Sequence, residues 1–253
     1  MHTASKDQQI KQCFQSEGYV ALKGFLSPQE VKELGQEIDR YINQVTPHLP
    51  PEEVFYERKG QPETLKQLQR MFQHDDYFNR LFLSERITSV AELLLEGPVI
   101  GKNLQWFNKP GKISQPTPPH QDGYYFMITP HEAVTMWLAL DEVDQSNGCI
   151  HYVPGSHRLG LRPHQRTAIL GFSQEISDYG PVDRAAEVAI VAQPGDLLVH
   201  HSLTIHRADA NASHRNRRAL GFIYYSTRAQ EDVERQHAYQ RKLTKDLIKE
   251  GKL

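Results

Sequence analysis

The sequence predicts a mainly β domain, of antiparallel sandwich or barrel type, with a helical layer packed on it. Two observations carry this. From Val99 onward, seven β-prone runs follow one another, separated by Gly, Pro and Asn. Before Val99, apolar residues recur at helical spacing and begin at recognisable helix starts.

In chain order, Tyr19 to Phe25 reads as a short apolar strand. A helix then starts with Ser27 as N-cap, Pro28 in the first helical position and Glu30 closing a capping box. Val31, Leu34, Ile38, Tyr41 and Ile42 give that helix one apolar face. Further helical regions are predicted over residues 63–84 and 85–97. The β-prone runs are VIGKNLQWFN, HQDGYYFMI, AVTMWLALDEV, CIHYVPGS, EVAIVAQ, DLLVHHSL and RALGFIYYS. Asn147-Gly148 and the Gln-Pro-Gly-Asp at 193–196 are turn signals between them. Residues 155–187 are long and irregular, as in a lid or binding loop. The charged segment 227–253 reads as a C-terminal helix or tail. With no linker, repeat or low-complexity tract, one domain is expected: a helical layer over about 1–97, a β core over about 98–226, and the tail.

A chain of 253 residues can bury a substantial core. A formal net charge of −2 gives no whole-protein attraction to nucleic acid or anionic membrane. Cys13 and Cys149 are the only cysteines, which is no disulfide framework and fits a reducing compartment. No apolar run approaches a membrane span, so a soluble, cytoplasmic protein is expected. Nothing in the sequence fixes an oligomeric state.

Two His-x-Asp pairs occur, at His74 to Asp76 and at His120 to Asp122. On a strand, residues i and i+2 face the same way and can share an ion; on a helix they project about 200° apart. His74 lies in the helical stretch and reads as an exposed helix end. His120 follows the proline-rich SQPTPP and precedes β-prone residues, so it can belong to a ligand pair or to a hydrogen-bonded strand end. Two histidines and one carboxylate with open positions are the facial triad of non-haem Fe(II) oxygenases. His200, His201 and His206, after the turn at Gly195, are the candidates for the third ligand.

HQDGYY, NGCIHYVPGSH, PGDLLVHHSLTIH and RRAL occur in that order. Over roughly residues 15–226, the chain thereby resembles the phytanoyl-CoA dioxygenase family of Fe(II)- and 2-oxoglutarate-dependent oxygenases. The resemblance implies a double-stranded β-helix, a cupin-like jelly roll. It implies His120, Asp122 and His206 as iron ligands and His201 as structural support. Arg217, eleven residues past His206, would hold the far carboxylate of 2-oxoglutarate, with Trp137 and Gln105 nearby. It leaves His200, His214, Arg215 and Arg218 without a role. Arg207 and Ala208 depart from the family pattern, where glycine and a hydroxyl residue are common.

The residue chemistry agrees: a guanidinium can grip a carboxylate through two parallel hydrogen bonds, which lysine cannot. By strand alternation Arg217, Ala219 and Gly221 share a face, where small neighbours would leave space for a diacid. Leu220, Phe222 and Tyr224 share the other, as does Arg218. The implied reaction is oxidative decarboxylation of 2-oxoglutarate with O2, coupled to hydroxylation of an unactivated C–H in a small-molecule substrate. Asp122 excludes a halogenase, which lacks that carboxylate. The rivals are a zinc or manganese enzyme of cupin type and a catalytically silent small-molecule-binding protein. Arg217 stands against the first and the intact triad against the second. The substrate pocket is expected to draw on the 111–119 loop, Tyr124, Phe126 and the 155–187 loop. His157, His164 and Arg166 read as solvated loop positions.

Overall fold

In a computed structural model describing residues 5–167, 169 and 173–249, two antiparallel sheets face each other. The larger runs, in spatial order, Tyr19–Leu22, Leu197–His201, Ala133–Ala139, Arg217–Ser226, Val99–Lys109, Leu65–Leu68 and Val54–Tyr56. The smaller runs Val188–Ile190, Ile150–Tyr152, His206–Ala208 and Thr117–His120. This is the double-stranded β-helix, in which each sheet faces the other across a shared interior. Among the described residues, no helix is long and apolar enough to cross a membrane.

Helices Lys6–Glu17, Pro28–Gln44 and Glu85–Leu95 cover the outer face of the large sheet. The Pro28–Gln44 helix starts as its sequence dictates: Ser27 Oγ accepts from the Glu30 amide (3.3 Å), and the Ser27 amide donates to the Glu30 carboxylate (2.7 Å). Its Leu34, Ile38 and Tyr41 join Leu220, Phe222, Val199 and Met136 of the sheet in one apolar core. The turn at Gly195 needs glycine, because φ is +91° and a Cβ would meet the Leu26 carbonyl oxygen at 2.4 Å.

Three expectations are corrected. Residues 63–84 are not one helix. Leu65–Leu68 is a strand of the large sheet, and Asp75 starts the helix Asp76–Phe82 by accepting from the Tyr77 amide at 3.0 Å. Leu65 and Leu68 mimic helical spacing, but the polar residues between them are buried with partners: Lys66 against Glu57 (3.3 Å) and Gln67 against Gln105 (3.0 Å). Second, HQDGYYFMI is not one strand: the first strand ends at His120, another starts at Ile128, and between them Gly123–Phe126 is a helical turn, drawn round by the Gly123 amide donating to the Ser202 carbonyl (2.8 Å). Third, beside the strand expected at Tyr19, the opening segment also gives the large sheet Val54–Tyr56. Three strands of the large sheet come from residues before Val99.

The 155–187 loop contains a hairpin, His164–Arg166 with Gln174–Ile176, and the short helix Pro181–Ala186. Residues 168 and 170–172 of that loop, and 250–253 of the tail, lie outside the described residues. The remainder of the tail is the helix Val233–Lys249, tied down by Gln236 Nε2 donating to the Phe126 carbonyl (2.6 Å).

Candidate active site

His120 ends one strand of the small sheet and His206 begins its neighbour, and the two are paired directly in the register. Their rings lie 4.2 Å apart. Asp122 joins them differently from the strand geometry expected. It stands past the strand end in helical backbone (φ −58°, ψ −33°), so the turn, not strand alternation, swings its carboxylate back. Asp122 Oδ1 lies 3.4 Å from His120 Nε2 and 3.7 Å from His206 Nε2.

The hydrogen bonds fix what these atoms offer. His120 Nδ1 donates to the Pro118 carbonyl (2.8 Å) and His206 Nδ1 to the Thr204 carbonyl (3.0 Å). In the neutral imidazole each Nε2 is then a bare lone pair, and both lone pairs face the same carboxylate oxygen. Burial, then the neighbouring His120 and His200, hold His206 well below its ordinary pKa, favouring that neutral form. Burial pushes the Asp122 carboxyl up, but the hydrogen bond it accepts from His200 helps to hold it well below its ordinary pKa, as a carboxylate. Three converging electron-pair donors without a proton between them fit a divalent cation.

The other carboxylate oxygen is committed elsewhere. Thr135 Oγ1 donates to Asp122 Oδ2 (2.5 Å), and so does His200 Nε2 (3.1 Å). With Nε2 carrying the proton, His200 Nδ1 accepts from the Tyr152 hydroxyl at 2.9 Å. The chain Tyr152 to His200 to Asp122 turns Oδ1 toward the imidazoles. His200 was read from the sequence as having no role, and the structure corrects this. The alternation of its strand carried the signal: Leu197 and Val199 enter the core under the helices, while Leu198 faces the inter-sheet core. His200, two residues on, must therefore face inward. His201 turns outward, where its Nδ1 accepts from the Leu203 amide (3.0 Å) and its ring approaches His157, a supporting position as expected.

A cavity of about 530 Å³ opens beside these ligands, and Gln105, Trp137 and Arg217 line it with them. Arg217 is 5% exposed, and among the described residues its guanidinium makes no hydrogen bond or ion pair; Nε is buried without a partner. It lies over the Trp137 ring at 5.0 Å. Burial lowers its pKa to about 10, so it is still a cation at neutral pH. Lys109 sits opposite it in the register, and burial, then Arg217 and Lys66, pull its pKa well down. Burying an uncompensated cation such as Arg217 is costly, so this floor is built for an anion.

The small residues beside Arg217 have another cause than the one expected. A Cβ at Gly221 would meet the Phe107 ring at 2.7 Å, and Ala219 packs in the inter-sheet core. Arg218 turns away and pairs with Asp141 (2.8 Å), Arg215 pairs with Glu142 (2.8 Å), and His214 is exposed. Arg207 is gripped by both oxygens of Glu187 (2.5 and 2.6 Å), and Ala208 lines the cavity. Phe126 and Thr117 reach the cavity as expected, but Tyr124 does not line it; it stacks on His164 at 4.3 Å, and Tyr125 takes the wall. His157 accepts no substrate-facing role, bonding to the Gln15 carbonyl (3.2 Å).

A double-stranded β-helix with this donor set beside a buried arginine defines the class of non-haem iron, 2-oxoglutarate-dependent oxygenases. The comparisons agree. The profile of the Phytanoyl-CoA dioxygenase (PhyH) family matches residues 14–219, and the chain belongs to that family. It is 24% identical over 232 residues to the peroxisomal phytanoyl-CoA dioxygenase of Mus musculus, covering 86% of this chain and 68% of that one. Among solved structures, the epimerase SnoN in complex with Fe3+, alpha ketoglutarate and nogalamycin RO is 26% identical with a TM-score of 0.71, covering 89% and 85% of the two chains. EvdO2 from Micromonospora carbonacea var. aurantiaca, complexed with 2-oxoglutarate, is 27% identical with a TM-score of 0.71, covering 91% and 94%.

Proposed function

We propose that this chain is an Fe(II)- and 2-oxoglutarate-dependent dioxygenase that hydroxylates a C–H bond of a small-molecule metabolite, releasing succinate and CO2. His120 and His206 would hold the iron through Nε2, and Asp122 through Oδ1. When bound, iron with O2 supplies the oxidation that side chains cannot perform. The protein's own residues do the rest. The Pro118 and Thr204 carbonyls hold both imidazoles in the tautomer whose Nε2 carries no proton. Thr135 and His200 hold the carboxylate by its other oxygen. Arg217 donates to the far carboxylate of 2-oxoglutarate through its planar fork, with Trp137 under the guanidinium and Gln105 on the adjacent strand.

The observation that carries this reading is the pairing of two lone-pair imidazoles on one carboxylate oxygen with a buried, uncompensated arginine in the same cavity. A hydrolytic zinc or manganese site would leave Arg217 without a partner. The test is succinate release from 2-oxoglutarate by the Fe(II)-loaded protein, lost in His120→Ala and Arg217→Ala. Turnover supported by Zn(II), or unchanged 2-oxoglutarate affinity in Arg217→Ala, would falsify it. The named relatives include an epimerase, so product analysis by mass spectrometry must find one added oxygen for hydroxylation to stand.

A further inference from the structure

Outward from Arg217 the cavity continues beneath a roof. The hairpin of His164–Arg166 and Gln174–Ile176 forms one side of it, and the Val233–Lys249 helix the other. Arg166 pairs with Asp246 and Ser173 bonds Tyr239 across the two. The Tyr125 hydroxyl donates to the Gln174 carbonyl and accepts from its amide, both at 3.1 Å.

Three arginines besides Arg217 line this cavity, and each is committed to carboxylates. Arg70 pairs with Glu53 (2.7 Å), Arg166 with Asp246, and Arg207 with Glu187 and Asp209. Apart from these arginines, the histidines and Asp122, the acidic lining residue among those described is Glu52, which is exposed. A phosphate entering the outer chamber would lose hydration and meet only cations already paired with carboxylates. The wall instead offers uncharged partners. Gln67 and Gln105 are both more than nine-tenths buried, and their amides bond each other at 3.0 Å. Whichever way the two amides are turned, that bond leaves one carbonyl acceptor and one NH2 donor over; Gln67 Oε1 is the buried atom without a partner. Phe55, Tyr125, Tyr239 and Leu243 supply apolar surface around them.

We infer that the outer chamber binds an uncharged molecule, with an apolar or aromatic body bearing hydroxyl, carbonyl or amide groups, and rejects phosphate-bearing carriers such as coenzyme A esters. This rests on the function proposed above and names its substrate class. Arg70, Arg166 and Arg207 close the chamber's walls and roof through their carboxylate partners, and only Arg217 is left to hold an anion.

The test is calorimetric titration of the full chain loaded with Mn(II) and 2-oxoglutarate. The probes are two matched pairs: S-octanoyl-N-acetylcysteamine against octanoyl-coenzyme A, and 4-nitrophenyl β-glucoside against its 6-phosphate. The uncharged member should bind tighter by roughly tenfold or more in a pair that binds. An anionic probe binding as tightly as its uncharged mate overturns the inference, as does failure of both uncharged probes to bind. Loss of 2-oxoglutarate binding by the Mn(II)-loaded wild type, measured first without probes, would instead remove the proposed function itself.

Discussion

Arg217 and Arg218 are neighbours on one strand, yet they live in opposite surroundings. Arg217 faces the interior between the sheets, buried and without a carboxylate partner. Arg218 faces outward, is 38% exposed in its side chain, and is held by Asp141 at 2.8 Å. The rest of the Arg217–Ser226 strand repeats the division. Leu220, Phe222 and Tyr224 enter the apolar core under the helices, while Ala219 enters the inter-sheet core. One face of the strand secures the fold and the other prepares a binding floor, a separation that comes directly from the two-residue period of a strand.

The largest effect should come from the core face. Phe222→Ala should cost about 3–5 kcal/mol of folding stability, the range for emptying an aromatic side chain from a packed core. Denaturant unfolding measures it, and a loss under ~1 kcal/mol would mean that this face is not the packed one. On the inner face, Arg217→Ala should weaken 2-oxoglutarate binding by about a hundredfold or more, read by titration of the metal-loaded protein. Its unfolding midpoint should not fall, because an uncompensated buried cation is removed. A lower midpoint with intact affinity would reverse the assignment of the two faces.

The same contrast extends through His200 to the Leu197–His201 strand, two places along the sheet. His200→Phe keeps the volume but removes the donor on Asp122 Oδ2, and should lower Fe(II) or Co(II) affinity by roughly 10–100-fold. His200→Gln should recover part of it. Equal affinity in all three proteins would reduce His200 to a packing residue. The smallest effect belongs to Arg218→Ala: about 0.5 kcal/mol or less after solvent screening, with 2-oxoglutarate affinity within error of wild type.

How far the sequence discloses this arrangement depends on whether a signal is local. The Ser27 cap, the apolar stripe of its helix and the alternation of the last strand are local, and each appears where its residues predict. The order of the His-x-Asp pair, the distal histidine and the arginine points to one site, and the fold brings those four into one cavity with Gln105 and Trp137. What local reading misses is supplied by distant partners. Leu65–Leu68 looks helical until Gln105 and Glu57 give its buried polar residues somewhere to bond. Asp122 reaches its position through a turn that depends on Ser202, eighty residues on. His200 differs from His201 in which side of the strand it takes; the dipeptide alone does not say which, and only the alternation of the apolar residues before it does.

The helix over the cavity has one more consequence. Every residue assigned to iron or 2-oxoglutarate stands before Ser226, whereas Tyr239 and Leu243 belong to Val233–Lys249. Loading and containment are thus encoded in separate stretches of chain. A protein stopped after Asp232 would retain the whole ligand set and be open above it. On the function proposed above, such a molecule would keep the residues that hold iron and 2-oxoglutarate but lose the Tyr239 and Leu243 surface, so succinate should form with less oxidised product.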